Sequence, residues 1–155
     1  MSQPSILFVC LGNICRSPLA EAALRMRAVE AGVALTIDSA GTGNWHVGRP
    51  PDPRAQEVAL IHGLDISGYR ARQVTTEDFS RFGHIYALDP QNLKDLRRIE
   101  PKRHFSEVRL LMDMVPGRRG TAVLDPYYGD AEDFAEAWSD VCEAADSIIK
   151  RFGGR

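Results

Sequence analysis

The feature that most constrains this chain lies in its first eighteen residues. There the apolar run Ile6-Leu7-Phe8-Val9 breaks into Cys10-Leu11-Gly12-Asn13-Ile14-Cys15-Arg16-Ser17-Pro18. An unbroken apolar run of this kind reads as a buried strand. Ser17 followed by Pro18 reads as a helix start, because a proline at the first helical position gives up only an N–H that has no intrahelical partner. A short loop between a strand and a helix N-terminus turns its backbone N–H groups inward, and the helix dipole adds partial positive charge. Such a loop suits a tetrahedral oxyanion. Cys10 at its start is a candidate nucleophile, since amide dipoles and a nearby guanidinium favour the thiolate. Arg16 offers a planar fork that can hold two oxygens of one anion. Gly12 lets the backbone approach closely, and Asn13 tolerates the left-handed conformation that a nest-like loop requires. Singly, each part has a plainer reading: a lone cysteine is usually a small buried hydrophobe, and Ser-Pro is usually a cap. The combination Cys-x5-Arg-Ser between a strand and a helix favours the chemical reading.

The rest of the composition narrows the class. At 155 residues the chain is of single-domain size, long enough to bury a real core. Apolar residues make up 44%, charged residues 26%, and the formal net charge is −2, so there is no electrostatic argument for nucleic acid or a membrane surface. The short basic pairs Arg97-Arg98, Lys102-Arg103 and Arg118-Arg119 read as solvated faces. The three cysteines have neither disulfide nor zinc spacing, and the four scattered histidines form no helical metal pair. No metal site is therefore expected. Met1-Ser2-Gln3-Pro4 lacks a basic leader, and no segment is long enough to span a bilayer. The expectation is a cytoplasmic monomer.

Along the chain, a first helix is predicted from Pro18 to Ala31, with Leu19, Ala22, Ala23, Met26 and Val29 on its apolar face and Gly32 closing it. A short strand follows over 35–39. A Gly/Pro-rich loop then carries Trp45, and a helix opens at Asp52 or Pro53 and runs toward His62. Thr75 or Thr76 is expected to cap a short helix reaching Phe82. A third strand covers 84–88, Pro90 opens a helix toward Glu100, and a fourth strand covers 107–110. The last helix, 131–152, carries Phe134, Trp138, Val141, Ala145, Ile148 and Phe152 at near-helical period, which reads as core; Cys142 reads as packing. Strands separated by helices predict an α/β fold, a single domain with a four-stranded parallel sheet and helices on both faces. Its phosphate-binding loop would follow strand 1, at the C-terminal edge where ligands bind. Asp125-Pro126-Tyr127-Tyr128-Gly129 belongs on the same edge. Alone, Asp-Pro is a common turn. Beside a Cys-x5-Arg loop the acid has a task, because a phenolate leaves poorly unless something protonates it.

Cys10 to Pro18 resembles, position for position, the Cys-x-Gly-Asn-x-Cys-Arg-Ser-Pro signature of the low-molecular-weight protein tyrosine phosphatases. The strings Ser39-Ala40-Gly41-Thr42, Trp45 to Arg54, and Asp125 to Gly129 extend the resemblance over nearly the whole chain. It implies a hydrolase that cleaves phosphotyrosine through a phosphocysteine, with Cys10 as nucleophile, Arg16 as phosphate clamp and Asp125 as general acid and base. Leu11, Gly12, Asn13, Ile14, Cys15 and Ser17 would bind the phosphate, with the Ser17 hydroxyl donating to the cysteine sulfur. Trp45, Tyr127 and Tyr128 would wall the substrate cleft, Ser39 would join a hydrogen-bond network behind the loop, and Asp89 would fix Arg16 from behind. No cofactor is implied. The implied partners are a phosphotyrosine protein, a bacterial-type tyrosine kinase as counterpart, and inorganic phosphate as product.

Tyr69 departs from the family, which commonly has a histidine there supporting the loop asparagine; a phenol cannot take the imidazole's two-sided role. Related arginine phosphatases carry a threonine where this chain has Ile14, whose bulk should favour an aryl ring over a guanidinium. Cys15, five residues from Cys10, has two readings: a thiol within disulfide range of an oxidised Cys10, or a side chain that only fills space behind the loop. Three rivals are weaker. A thiol-linked arsenate reductase needs resolving cysteines that are missing between Cys15 and Cys142. A cysteine phosphocarrier has no need of Arg16 or Asp125, and a non-catalytic phosphoprotein-binding module would tolerate losing Cys10 or Asp125.

Overall fold

Four parallel strands form the centre of the molecule: β1 (Ser5–Cys10), β2 (Thr36–Gly41), β3 (His84–Ala87) and β4 (Glu107–Leu110), in the order β2-β1-β3-β4. The computed structural model describes residues 3–153. Its helices are α1 (Arg16–Ala31), α2 (Pro53–Ile61), α3 (Asp78–Arg81), α4 (Pro90–Ile99) and α5 (Ala131–Phe152), with one 3₁₀ turn over Leu111–Met114. The predicted α/β fold with a four-stranded parallel sheet is what the structure shows.

Every residue of β1 from Ile6 to Cys10 is buried because both faces of the sheet are covered. Ile6, Phe8 and Cys10 face a core shared with Leu19, Ala23, Phe134, Trp138 and Ile148 of α1 and α5. Leu7 and Val9 alternate to the other face, against Phe79, Phe82 and Leu96 from the α3–α4 side. The period of two along the strand thus sorts its side chains into two separate cores.

The strand order puts the functional edge in one place. The chain leaves β1 for β2 on one side and reaches β3 on the other, so the direction in which successive strands are added reverses between β1 and β3. Outside the carboxyl ends of these two strands a crevice opens. Cys10 ends β1, and Asp89 stands two residues beyond β3. The loop that carries Asp125 docks beside them, with Val123 N donating to Leu88 O at 2.9 Å.

Most element boundaries match the sequence expectation, β4 and α5 to the residue. Four details differ. β2 runs on to Gly41, two residues past its expected end, because Ala40 and Gly41 still pair with Val9 and Cys10 of β1. α1 begins at Arg16, so Pro18 is its third residue and not its first. This still lies within the first turn, where a missing N–H costs no intrahelical bond. Val29 is 82% exposed, because α1 turns the face holding Leu19, Ala20, Ala23 and Leu24 inward. Neither Thr75 nor Thr76 caps α3 with its side chain. Instead the fully buried Asp78 reaches back to accept from Thr75 N at 2.8 Å while pairing with Arg72 at 3.0 Å. Gly32 does close α1 in the left-handed conformation, at φ 68°.

Candidate active site

The loop after β1 is held from outside by backbone bonds and from inside by a chain of side chains. Thr42 N donates to Cys10 O, Gly43 N to Leu11 O and Asp52 N to Ile14 O, each at 2.9 Å. Gly41, at the end of β2, permits this closeness: a Cβ there would come within 2.8 Å of Leu11 O. Asn13 turns the loop with φ 57°, the left-handed conformation expected of it.

The Asn13 amide organises the space beneath. Its Oδ1 accepts from Arg72 N at 3.0 Å. That bond orients the amide, so Nδ2 donates to Ser17 Oγ at 2.8 Å and to Ser39 Oγ at 3.0 Å. Ser39 in turn donates to Glu21 Oε1 at 2.7 Å, and Arg25 Nε donates to Glu21 Oε2 at 3.0 Å. Since Ser17 Oγ accepts from Asn13, its own proton is left for Cys10 Sγ at 3.0 Å or Ala40 O at 3.4 Å. Asn13 N lies 3.3 Å from the same sulfur. Burial pushes the Glu21 carboxyl above its ordinary range, against the pull of Ser39 and Arg25. Among the described residues no hydrogen bond joins Tyr69 to Asn13. The Asn13 amide oxygen is held by the backbone N–H of Arg72.

Arg16 is 2% exposed and aimed into the site. Nη1 donates to Asp89 Oδ2 at 2.7 Å and to Val123 O at 2.9 Å, while Nη2 stands 3.6 Å from Asp125 Oδ2. Burial works against its charge, but Cys10, Asp89 and Asp125 outweigh it, so the guanidinium is held more firmly protonated than usual. Asp89 also caps α4, accepting from Asn92 N at 2.7 Å. The N-terminus of α1 has no side-chain cap and no acidic residue in its first turn. Its free N–H groups and dipole suit an oxyanion.

Above this floor opens a cleft of about 390 Å³. Cys10, Gly12, Cys15 and Arg16 form its base; Leu11, Ile14, Trp45, Tyr127 and Tyr128 wall it; Asp125 reaches in from the rim. Trp45 is 68% exposed, a cleft wall and not a core aromatic. The Asp125 carboxylate accepts from Tyr127 N at 3.1 Å. Cys15 is buried below, and burial first, then Asp52 and Cys10, push its thiol far above the ordinary range. Ser39 and Asp89 stand behind the loop and touch Asn13 and Arg16. The candidate site residues singled out in the sequence lie together, in the cleft or in the layer directly beneath it. Among the described residues no group of three or more His, Cys, Asp or Glu side chains forms a metal-sized cluster.

Two residues of the site lie within the Trp45-to-Arg54 string, yet nothing in the sequence gives either of them a role. His46 lines the cleft beside Trp45, its ring 6.5 Å from that of Tyr127. A single histidine in a Gly/Pro loop has no spacing to mark it. Arg54, the second residue of α2, reads as an ordinary solvated cation, yet it donates to Tyr127 O at 2.9 Å and to Gly129 O at 3.2 Å in the loop of the acid.

This geometry has close counterparts. Residues 5–153 match the family model described as low molecular weight phosphotyrosine protein phosphatase. The chain is 40% identical over 148 residues to the low molecular weight phosphotyrosine protein phosphatase of Schizosaccharomyces pombe, covering 94% of each chain. It is 41% identical over 150 residues to the low molecular weight protein-tyrosine-phosphatase YfkJ of Bacillus subtilis, covering 95% of this chain and 96% of that one. The YfkJ crystal structure matches with a TM-score of 0.87 over 97% of each chain. The crystal structure of the Drosophila arginine phosphatase DARP matches with a TM-score of 0.89 at 30% identity, over 95% of this chain and 96% of that one. With a family model spanning almost all of its length and relatives near 40% identity, the chain belongs to the low molecular weight phosphotyrosine protein phosphatase family.

Proposed function

We propose that this chain, as a single phosphatase domain, hydrolyses phosphotyrosine in proteins by two successive displacements at phosphorus. The observation that carries the reading is the placement of the Cys10 sulfur, the Arg16 guanidinium and the Asp125 carboxyl in one cleft, above an uncapped helix N-terminus. In the first step Cys10 thiolate attacks phosphorus. The bond from phosphorus to the tyrosine oxygen breaks, and Asp125 gives its proton to that oxygen. In the second step Asp125 carboxylate takes a proton from water, the water oxygen attacks phosphorus, and the S–P bond breaks to return thiolate and release inorganic phosphate. Arg16 and the loop amides hold the equatorial oxygens, where negative charge is spread in the transition state. The Ser17 hydroxyl, its oxygen already occupied by Asn13, turns its proton to the sulfur and eases its departure.

The depth and lining of the cleft select the substrate. Trp45, Tyr127 and Tyr128 offer flat faces to an aryl ring, and a phosphoserine side chain is too short to reach Cys10 past them. Ile14 at the wall crowds a guanidinium where arginine phosphatases leave room. The partners in this reading are phosphotyrosine proteins and, as the opposing enzyme, a bacterial-type tyrosine kinase; the protein acts as a monomer in the cytoplasm. No helix of the described residues is long and apolar enough to cross a membrane.

The test is side-by-side hydrolysis of phosphotyrosine, phosphoserine and phosphoarginine peptides with a chelator present. Phosphotyrosine should be turned over fastest; faster phosphoarginine turnover would reverse the substrate assignment. Cys10→Ser should abolish turnover yet still bind vanadate-like oxyanions. Asp125→Asn should lose far more kcat/KM on esters of poor leaving groups than of good ones.

A further inference from the structure

The loop that carries Asp125 is irregular from Val115 to Asp130, between the 3₁₀ turn and α5. A backbone outside any ladder is positioned by the few contacts that grip it. The bond from Tyr127 N to Asp125 Oδ1 fixes the carboxyl relative to its own loop. It cannot fix the carboxyl relative to Cys10, because both partners move together. Something must hold the loop from outside, and near Tyr127 that group is Arg54.

The guanidinium of Arg54 is engaged along its edges and on its faces. Nε and Nη2 meet the two oxygens of Asp52, each at 3.0 Å. Nη2 also donates to Tyr127 O at 2.9 Å and Nη1 to Gly129 O at 3.2 Å. Its Cζ stands 4.6 Å from the ring centroid of Phe134, which is fully buried at the start of α5, and 5.7 Å from that of Tyr127. Asp52 completes the link on the other side. Its carboxylate caps α2 by accepting from Arg54 N at 2.8 Å, and its backbone N–H donates to Ile14 O in the phosphate loop at 2.9 Å. The hydrogen bond from Arg54 is the foremost cause that holds the Asp52 carboxyl below its ordinary range. A continuous path therefore runs from the phosphate loop through Asp52 and Arg54 to the Tyr127 residue, whose N–H holds Asp125.

We propose that Arg54 is a positioning residue for proton transfer, setting through Tyr127 where the Asp125 carboxyl stands relative to Cys10. The proposal rests on the reading of Asp125 as proton donor. A planar fork is required, because one cation must serve a carboxylate and two carbonyls in fixed directions; a lysine ammonium supplies charge without that geometry. The plainer alternative is a surface ion pair that only steadies α2. The two differ in what they do to leaving groups, since a misplaced acid harms only substrates that need its proton.

The experiment measures kcat/KM, which reports the steps through the first displacement, for a series of aryl phosphates spanning good to poor leaving groups. It uses wild type, Arg54→Gln, Arg54→Lys, Asp125→Asn and the Arg54→Gln/Asp125→Asn double variant. Thermal midpoints and vanadate affinity are measured alongside, to confirm an intact fold and phosphate loop. Arg54→Gln should lose up to about 10²-fold on the poorest leaving groups, the scale of a misplacement near 1 Å, and only a few-fold on the best. Arg54→Lys should show the same dependence in weaker form. In the Asp125→Asn background Arg54→Gln should add no further leaving-group dependence, because the two changes act on one step. A steep Asp125→Asn series beside a flat Arg54→Gln series overturns the role of Arg54 alone. A flat Asp125→Asn series overturns the assignment of Asp125, and the role of Arg54 with it.

Discussion

Removing the Asp89 carboxylate would expose how much the site depends on charge beneath it. One oxygen of Asp89 caps α4 through Asn92 N, and the other accepts from Arg16 Nη1, both at 2.7 Å. Asp89→Ala removes the cap, worth about 1 kcal/mol. It also strips the nearest counter-charge from a guanidinium whose side chain is 3% exposed. Breaking a buried pair costs about 3–5 kcal/mol, and the lower end applies because Val123 O at 2.9 Å and Asp125 at 3.6 Å remain. The expected total is roughly 4 kcal/mol, which for a chain of this size lowers the thermal midpoint by about 8–16 °C. Asp89→Asn keeps an acceptor for the cap and loses mainly the charge-assisted bond, about 1.5–3 kcal/mol. Thermal unfolding with and without vanadate reads both effects. Vanadate should return part of the loss by giving Arg16 a new anion. Turnover should also fall by about 10²-fold, the scale of losing one well-placed donor to the developing charge. If Asp89→Ala melts within about 3 °C of wild type and keeps its activity, the buried guanidinium does not need this partner, and the electrostatic account of the site is wrong.

Three further expectations follow from the same layer. Under peroxide, wild type should lose activity and regain it with thiol reductant as a Cys10–Cys15 disulfide forms from a Cys10 sulfenic acid with loss of water; full recovery of Cys15→Ser would reduce Cys15 to packing. Burial raises the Glu21 carboxyl, so the native state binds more protons than the unfolded chain between the ordinary and the raised value, and stability falls as pH rises through that window. Glu21→Gln, which leaves the facing groups Arg25, Asp38 and Tyr69 in place, should remove this slope in urea unfolding across pH; an unchanged slope would show that Glu21 is not its source. Tyr69→Phe should leave kcat/KM within about twofold, and a larger loss would show that the phenol does the work of the family histidine.

The parts of the fold legible in the sequence are those set by local chemistry. Asp130 and Asp133 form a reciprocal cap that starts α5 at Ala131, and Pro53 and Pro90 each open a helix behind a capping aspartate. The loop after β1 is legible because its residues are contiguous. Boundaries decided by tertiary contacts were less so. α1 takes in Arg16 because its first i→i+4 bond already runs from Leu19 N to Cys15 O at 3.3 Å, while the Arg16 side chain reaches Asp89, 73 residues away. Val29 faces out because packing against the sheet and α5 sets the rotation of the helix. Arg54 was silent for the same reason: its partners Tyr127 and Gly129 are 73 and 75 residues distant, and no local pattern announces them.

Asn13 shows a different limit. Judged by side chains, Tyr69 in place of a histidine removes the support of the loop asparagine. The support comes instead from Arg72 N, a backbone group that every residue except proline possesses and that no residue type can signal. What the sequence does encode is the means of holding that backbone in place. Arg72 pairs with Asp78 through Nη1 and Nη2, at 3.1 and 3.0 Å, and with Asp38 through Nε at 3.1 Å. Asp78 is fully buried and also ties down Thr75 N. The guanidinium between β2 and α3 thus fixes the peptide that orients Asn13. Asn13 then spends both amide hydrogens on Ser17 and Ser39, and the Ser17 proton is left for Cys10 Sγ or Ala40 O. Replacing Arg72 should therefore harm the departure of the sulfur more than the binding of the anion, although Arg72 touches neither.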